Sequence, residues 1–537
     1  MTKKSAGVRY LTVWRQVTVA VGLFAATAGC VTIQADFKAT PSYAFDHPEQ
    51  TSLGRAYFAH QALHPGKSGF RLINSGVSAL MTRAALADLA EHTIDLQYYI
   101  YDPDETGAFL LERLIDAAGR GVRVRILLDD FALGFDDLDL LKIVDVHPNI
   151  EIRVFNPFPH RSRWLRPLQL ALQLDTLGMR MHNKVFAVDG AVAILGGRNI
   201  SNHYFEAQAQ ANFRDLDVLA AGPIVSQVST QFDEYWNSLV SVPVAAFGTP
   251  PSEQASSRTL DALHRLAEAQ HGPHAEYLRR KPEFLQRMLS GAPELIWASG
   301  RVVAERPVRE RPERHRSARS LSEISRTLSV VRQSVKNDLA MVMAYYVPGK
   351  RGVEVLSELT DRGVRVRVLT NSLASTDVLA VYVGYSRHRV ALLEAGVELY
   401  EYRADAQRPA RAGHVMRPGS TDSALHAKVI VYDRRVVWIG SANSDPRSRR
   451  LNTEVGFLIE SEPLAERVLK GLERDFSPVH SWRLAMDLDP GSGESQIVWM
   501  GERDGEHLRL HQEPGGRLLR QLGVLFYSLL PGLEDHL

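Results

Sequence analysis

Two stretches of the chain repeat one course of apolar and polar positions. "IDLQYYIYDPDETGAFLLERLIDAAGRGVRVRILLDD", residues 94–130, alternates apolar residues as far as Tyr98 and Tyr99. It then changes to helical spacing at Leu110, Leu111, Leu114 and Ala118, and alternates again at Val122, Val124 and Ile126. "LAMVMAYYVPGKRGVEVLSELTDRGVRVRVLTNS", residues 339–372, follows the same course through Tyr345 and Tyr346, and both contain RGVRVR, at 120–125 and 362–367. A period of two marks a strand and a period near 3.6 a helix. Each stretch therefore predicts strand, turn, amphipathic helix and strand, a βαβ unit with parallel strands and a right-handed crossover. Duplication on this scale predicts two α/β halves related by a pseudo-twofold axis, each a mixed, mostly parallel sheet flanked by helices.

A second repeat carries polar residues into strands. "HNKVFAVDG" (182–190) places His182, Lys184 and Asp189 on a strand and its turn, and "HAKVIVYDRRVVWIGSAN" (426–443) repeats the spacing with His426, Lys428 and Asp433. After six intervening residues each aspartate is followed by small residues and an asparagine: Gly196, Gly197 and Asn199, then Gly440, Ser441 and Asn443. Histidine and lysine two apart share one strand face. Two such strands meeting across a twofold axis suit attack on a phosphodiester, which its own negative charge shields. One imidazole attacks phosphorus and the other protonates the leaving oxygen; Lys184 and Lys428 neutralise charge, and Asn199 and Asn443 donate hydrogen bonds. An imidazole nucleophile must be neutral and held in one tautomer, which calls for a carboxylate on its other nitrogen. Asp215, 16 residues after Asn199, and Glu454, 11 after Asn443, are the candidates, with Asp217 competing with Asp215.

Charge and composition narrow the substrate. The 537 residues carry 63 basic and 62 acidic side chains, so nothing demands a polyanionic partner, and nucleic acid is not expected. The only cysteine, Cys30, excludes an intramolecular disulfide and a cysteine-based metal site. No Cys/His/carboxylate cluster has ligand spacing, so neither metal nor other cofactor is expected. Cys30 follows a basic start (Lys3, Lys4, Arg9, Arg15), the apolar run "VTVAVGLFAATAG" and the small residues Ala28 and Gly29. That arrangement reads as an export signal. It resembles a bacterial lipoprotein signal with Cys30 as the lipidated first mature residue, although Thr27 stands where such signals usually carry an aliphatic. An uncleaved anchor is the alternative, though the run is short for a spanning helix of about 20 residues. Either places the protein at a membrane of the bacterial cell envelope.

Two HxKxxxxDx6G[GS]xN motifs are the signature of the phospholipase D superfamily, and the chain resembles that family from about residue 75 to 480. "HNKVFAVDGAVAILGGRNI", "YFEAQAQANFRDLDVLAAGP", "LTNSLASTDV" and "WIGSANSDPRSRRLNTEVGF" are most similar to bacterial cardiolipin synthases, in particular their C-type branch. The resemblance implies a phosphohistidine intermediate, with His182 as nucleophile and His426 as general acid. Asp189 and Asp433 complete the catalytic motif as supports of the strand–turn geometry. It also implies phospholipid substrates: phosphatidylglycerol as acceptor, and phosphatidylethanolamine or a second phosphatidylglycerol as donor. Hydrolysis to phosphatidic acid is the alternative outcome, and a superfamily nuclease a more distant one. Whether a partner protein is needed stays open.

The expected organisation is a signal at 1–30, an N-terminal segment at 31–74 and a first half at 75–249. A helical, Arg- and Pro-rich insert follows at 250–320, then a second half at 321–485 and a tail at 486–537. Residues 155–174 and 517–530 place basic residues beside apolar faces, as an interfacial helix or a helix docked on the core would.

Overall fold

The computed structural model describes residues 37, 39–159, 177–208, 212–268, 272–290, 295–307, 321–405, 423–488, 493–515 and 518–528. The expected signal with Cys30, residues 160–174 of the first basic–apolar stretch and the arginine run at 308–320 lie outside the described residues.

The first half contains β1 (Ser68–Ile73), β2 (Thr93–Tyr98), β3 (Arg123–Asp129), β4 (Ile150–Phe155), β5 (Val185–Val188), β6 (Val192–Gly196), β7 (Phe213–Arg214), β8 (Asp217–Ala221) and β9 (Ser241–Pro243). Its sheet runs β1-β8-β6-β5-β2-β3-β4-β9. The second half contains β10 (Ile296–Ala304), β11 (Asp338–Met343), β12 (Arg365–Asn371), β13 (Glu398–Tyr402), β14 (Ala424–Leu425), β15 (Lys428–Tyr432), β16 (Val436–Gly440), β17 (Val455–Glu460) and β18 (Ser481–Leu488). The corresponding order is β10-β17-β16-β15-β11-β12-β13-β18, extended by a hairpin of β19 (Ser495–Arg503) and β20 (Glu506–Leu510). The two orders match strand for strand, which is the expected duplication. β10 also joins the sheets, because its first residues pair with β1 and the rest with β17.

Within this mixed α/β sheet, parallel pairing is confined to β2-β3-β4 and β11-β12-β13. Antiparallel pairs outnumber parallel ones, so the sheet is less parallel than the βαβ units alone implied. The reason is local: each HxK strand turns back at once through a hairpin, β5–β6 or β15–β16, and hairpins pair antiparallel.

The repeated RGVRVR has two structural roles. Gly121 and Gly363 take left-handed backbone, φ 98° and 82°, where the helix must turn into the strand. Arg125 and Arg367 are buried and tie the central strand to the helix packed on it. Arg125 binds Asp95 at 2.7 Å and Asp233 at 2.8 Å, while Arg367 binds Glu473 at 2.7 Å and Asp338 at 3.3 Å. Each guanidinium also lies over an aromatic ring, Phe232 at 4.8 Å and Phe476 at 5.1 Å.

The helices Glu105–Gly119 and Gly76–Leu89 cover the outer face of the first sheet with the aliphatic spacing read from the sequence. Two further helices, Glu253–Ala267 and Pro273–Leu289, fold from the span between the halves onto that same layer through Leu263, Ala267, Tyr277 and Met288. The inner faces of both sheets share one core. Val185, Leu195 and Val218 of one half lie in it with Val429, Ile439 and Phe457 of the other, and Phe70 meets Phe457 edge-on at 5.9 Å. In the tail, helix Leu518–Ser528 sets Val524 toward the core and leaves Leu522, Leu525 and Phe526 exposed. Among the described residues no helix is long and apolar enough to cross a membrane.

Removing Arg125 would strand Asp95 in the interior. Arg125→Ala is expected to lower unfolding stability by about 3–5 kcal/mol. Arg365→Ala, which breaks the exposed pair with Glu398, is expected to cost about 0–1 kcal/mol. Urea denaturation of both variants measures the difference, and equal losses would show that Arg125 does not link strand to helix.

Candidate functional site

Residues 181–184 run extended into β5, and residues 424–428 run through β14 into β15. Each segment is pinned to the other half. The His182 N–H donates to Thr453 O at 2.9 Å, and the His426 N–H donates to Arg214 O at 2.8 Å beside the parallel pair β14–β7. These contacts bring each histidine to the acid that follows the opposite motif. His182 Nδ1 lies 2.8 Å from Glu454 Oε2, and His426 Nδ1 lies 2.7 Å from Asp215 Oδ2. Asp217, the competitor, instead binds Arg83 at 2.9 Å and takes no part in this pair.

The difference between GG and GS in the two motifs follows from these acids. A Cβ at Gly197 would stand 2.3 Å from Asp215 Oδ1, so only glycine leaves room. At the matching place Ser441 donates its hydroxyl to Glu454, which accepts a further bond from Ser448 Oγ at 2.8 Å.

Lys184 Nζ donates to His182 O at 2.7 Å, and Lys428 Nζ donates to His426 O and lies 3.0 Å from His426 Nδ1. Burial pushes both imidazoles well below their usual 6.5, and the two lysines add to the effect. Burial also lowers the lysines, Lys428 to about 8, and raises the carboxyls, Glu454 to about 7. Neutral imidazoles with Nδ1 turned to a carboxylate leave Nε2 as the reactive nitrogen on each side.

Asn199 accepts from the Ile100 N–H at 3.3 Å and donates to the Tyr204 hydroxyl at 2.8 Å; Asn443 accepts from the Tyr345 N–H at 3.3 Å. Both stand near His426, Asn199 through Tyr204 and Asn443 through Tyr345. Asp189 and Asp433 do not. Asp189 accepts from the N–H groups of Glu91, His92 and Thr93 at 2.8–2.9 Å, and Asp433 from those of Lys336, Asn337 and Asp338 at 2.7–3.0 Å. Six residues of mostly extended chain lie between each and its histidine, roughly 20 Å. Their carboxylates clamp the turn onto the start of the neighbouring strand.

Several neighbours of the histidines are not among the site candidates of the sequence. The Tyr204 hydroxyl lies 3.5 Å from His426 Nε2, Tyr99 meets His182 edge-on at 5.2 Å, and Tyr345 meets His426 edge-on at 6.4 Å. Arg447, half-buried near His182, donates to Gly178 O at 2.7 Å. The tyrosine pairs of the two halves are out of register with each other. By backbone pairing, Tyr345 and Tyr346 correspond to Ile100 and Tyr101, not to Tyr98 and Tyr99. Alternation alone cannot show this, because a shift of two residues preserves its phase.

The family described as "Cardiolipin synthase, PLD-like domain" matches residues 84–236 and 333–476. Cardiolipin synthase C of Escherichia coli (strain K12) is 37% identical over 472 residues, 87% of this chain and 96% of that one. An uncharacterized protein of Helicobacter pylori (strain J99) is 30% identical over 494 residues, 92% of this chain and 94% of its own. Among solved structures, phosphatidylserine synthase of Haemophilus influenzae Rd KW20 shares the fold, with a TM-score of 0.52 at 13% identity over 80% of this chain and 92% of that one.

The burial of the two imidazoles has a spectroscopic consequence. At pH 6, where a free imidazole of pKa about 6.5 is mostly charged, both should remain neutral, and at His182 the proton should settle on Nδ1 once Glu454 ionises above about 7. Protonation should set in only well below that pH. Long-range 1H–15N spectra report this directly, and Glu454→Gln should disturb the tautomer at His182 and not at His426. Imidazolium signals at pH 6 would contradict the geometry.

Proposed function

The chain belongs to the phospholipase D-like family and is a phosphatidyltransferase of it; we propose that it makes cardiolipin from phosphatidylglycerol and a second phospholipid through a phosphohistidine on His182. The observation that carries the reading is the pair of carboxylate-anchored imidazoles with two buried lysines beside them. His182 Nε2 forms the bond to phosphorus as the bond to the departing headgroup oxygen breaks, and His426 gives that oxygen a proton. A phosphodiester between Lys184 and Lys428 offsets the charges that depress His426, so its affinity for that proton rises when substrate is bound. Asn199 and Asn443 steady the phosphoryl oxygens. Glu454 and Asp215 are positioning residues, fixing the tautomers through Nδ1.

The acceptor is the glycerol headgroup of phosphatidylglycerol, in keeping with the relatedness to cardiolipin synthase C over nearly the whole chain. The donor is phosphatidylethanolamine or a second phosphatidylglycerol. The enzyme works at the membrane surface of the cell envelope. The exposed Leu522, Leu525 and Phe526 support that placement, since Arg520 of the same helix donates to Leu373 O and Thr376 O, in the loop that follows the central strand β12 of the second half. Lipidation at Cys30 would hold it there as well.

Expression in a cardiolipin-null bacterium followed by lipid mass spectrometry tests the reading. Cardiolipin should appear with the wild type and be lost with His182→Ala or His426→Ala. The double variant should be hardly worse than either single one, because the two imidazoles act as one unit. Phosphatidic acid as the dominant product would make the enzyme a phospholipase, and near-normal turnover in either single variant would exclude the two-histidine mechanism.

A further inference from the structure

The pseudo-twofold axis is obeyed by the motif histidines and lysines, and broken right beside them. Ile100 and Tyr345 are equivalent positions, each giving its N–H to the motif asparagine at 3.3 Å. On the first half the position carries an aliphatic side chain. On the second it carries a phenol whose ring meets His426 at 6.4 Å and lies 5.9 Å from Lys428 Nζ. The Tyr345 hydroxyl donates to Asp377 Oδ2 at 2.7 Å. Asp377 is exposed and, among the described residues, takes no other hydrogen bond or ion pair. It is near enough to the site for its charge to be felt by Lys428 and Tyr204.

The loop that presents Asp377 is held firmly. Asn371 donates to Ala344 O at 3.0 Å and Leu425 O at 2.8 Å, Ser375 Oγ donates to Tyr402 O at 3.0 Å, and Arg520 closes the loop through Leu373 O and Thr376 O. A carboxylate held by Tyr345 on the His426 side has no counterpart in the phosphoryl chemistry of the two motifs.

We propose that Asp377, positioned by Tyr345, selects the alcohol that leaves and enters beside His426 by accepting a hydrogen bond from a second donor on that alcohol. The donor is the free hydroxyl of a glycerol headgroup or the ammonium of ethanolamine. The proposal rests on the transferase reading above and deepens it. In the first half-reaction the headgroup oxygen departs with the proton of His426. In the second, the acceptor hydroxyl returns a proton to His426, its oxygen bonds to phosphorus, and the bond from phosphorus to His182 Nε2 breaks, restoring the neutral imidazole. The alcohol occupies the same side in both. A vicinal diol carries two hydroxyls, one for His426 and one for Asp377, whereas a water molecule has no second hydroxyl to offer. Asp377 thereby raises the effective concentration of glycerol over water and favours transfer over hydrolysis.

The test uses membranes of the cardiolipin-null strain carrying the full chain, supplied with three kinds of vesicle: phosphatidylglycerol alone, phosphatidylglycerol with labelled phosphatidylethanolamine, and phosphatidylmethanol, whose leaving alcohol has no second donor. Asp377→Ala should lower the ratio of cardiolipin to phosphatidic acid roughly tenfold, the worth of one hydrogen bond to a charged group. It should also slow cleavage of phosphatidylglycerol or phosphatidylethanolamine relative to phosphatidylmethanol, and the lipid so affected names the headgroup that is read. Tyr345→Phe should move both ratios in the same direction, and Asp377→Asn, which keeps the shape, should fall between. Unchanged ratios, with all rates falling together, would reduce Asp377 to a structural residue and overturn the proposal. A wild type that yields phosphatidic acid and no cardiolipin would refute the synthase reading separately, and the comparison with phosphatidylmethanol would still judge Asp377.

Discussion

Each histidine is held by a carboxylate of the other half, and the rest of the molecule is arranged so that this exchange can happen. Glu454 reaches His182 because Thr453 pairs with the chain before β5; Asp215 reaches His426 because Arg214 pairs with the chain before β15. Neither half alone presents an imidazole with its own acid. The common core under β5, β6, β15 and β16 is therefore a requirement of the chemistry as well as of stability.

Burying two histidines, two lysines and two carboxylates together is costly unless the charges offset one another. They do so here across the axis. Lys184 and Lys428 oppose the rise that burial imposes on Glu454 and Asp215, and they add to the depression of both imidazoles. The result is a site whose bases are neutral and whose cations wait for an anion. A phosphodiester provides that missing negative charge, and the surroundings of Tyr345 and Asp377 then make the two sides of the twofold chemically unequal.

The halves, the βαβ units and the two HxK motifs were legible in the sequence because each rests on local periodicity or on a spacing repeated twice, although His182, Lys184 and His426 lie just before β5 and β15, not on them. The acids were legible as candidates, since Asp215 and Glu454 follow their asparagines at similar intervals. Which histidine each would meet was not, for partners 211 and 272 residues apart are chosen by strand pairing. The same holds for Asp217, which a period of two cannot separate from Asp215, and for the tyrosine register.

Sequence by itself determined the duplication and the paired histidines and lysines at their repeated spacing, because alternation and spacing are properties of a single stretch of chain. Only the tertiary structure decided that the acids cross between halves, that Asp189 and Asp433 clamp turns far from the histidines, and that Tyr345, bonded to Asp377, stands beside His426. Those facts depend on which strands pair and which faces share a core. Contacts of that kind join residues hundreds of positions apart, and no local pattern records them.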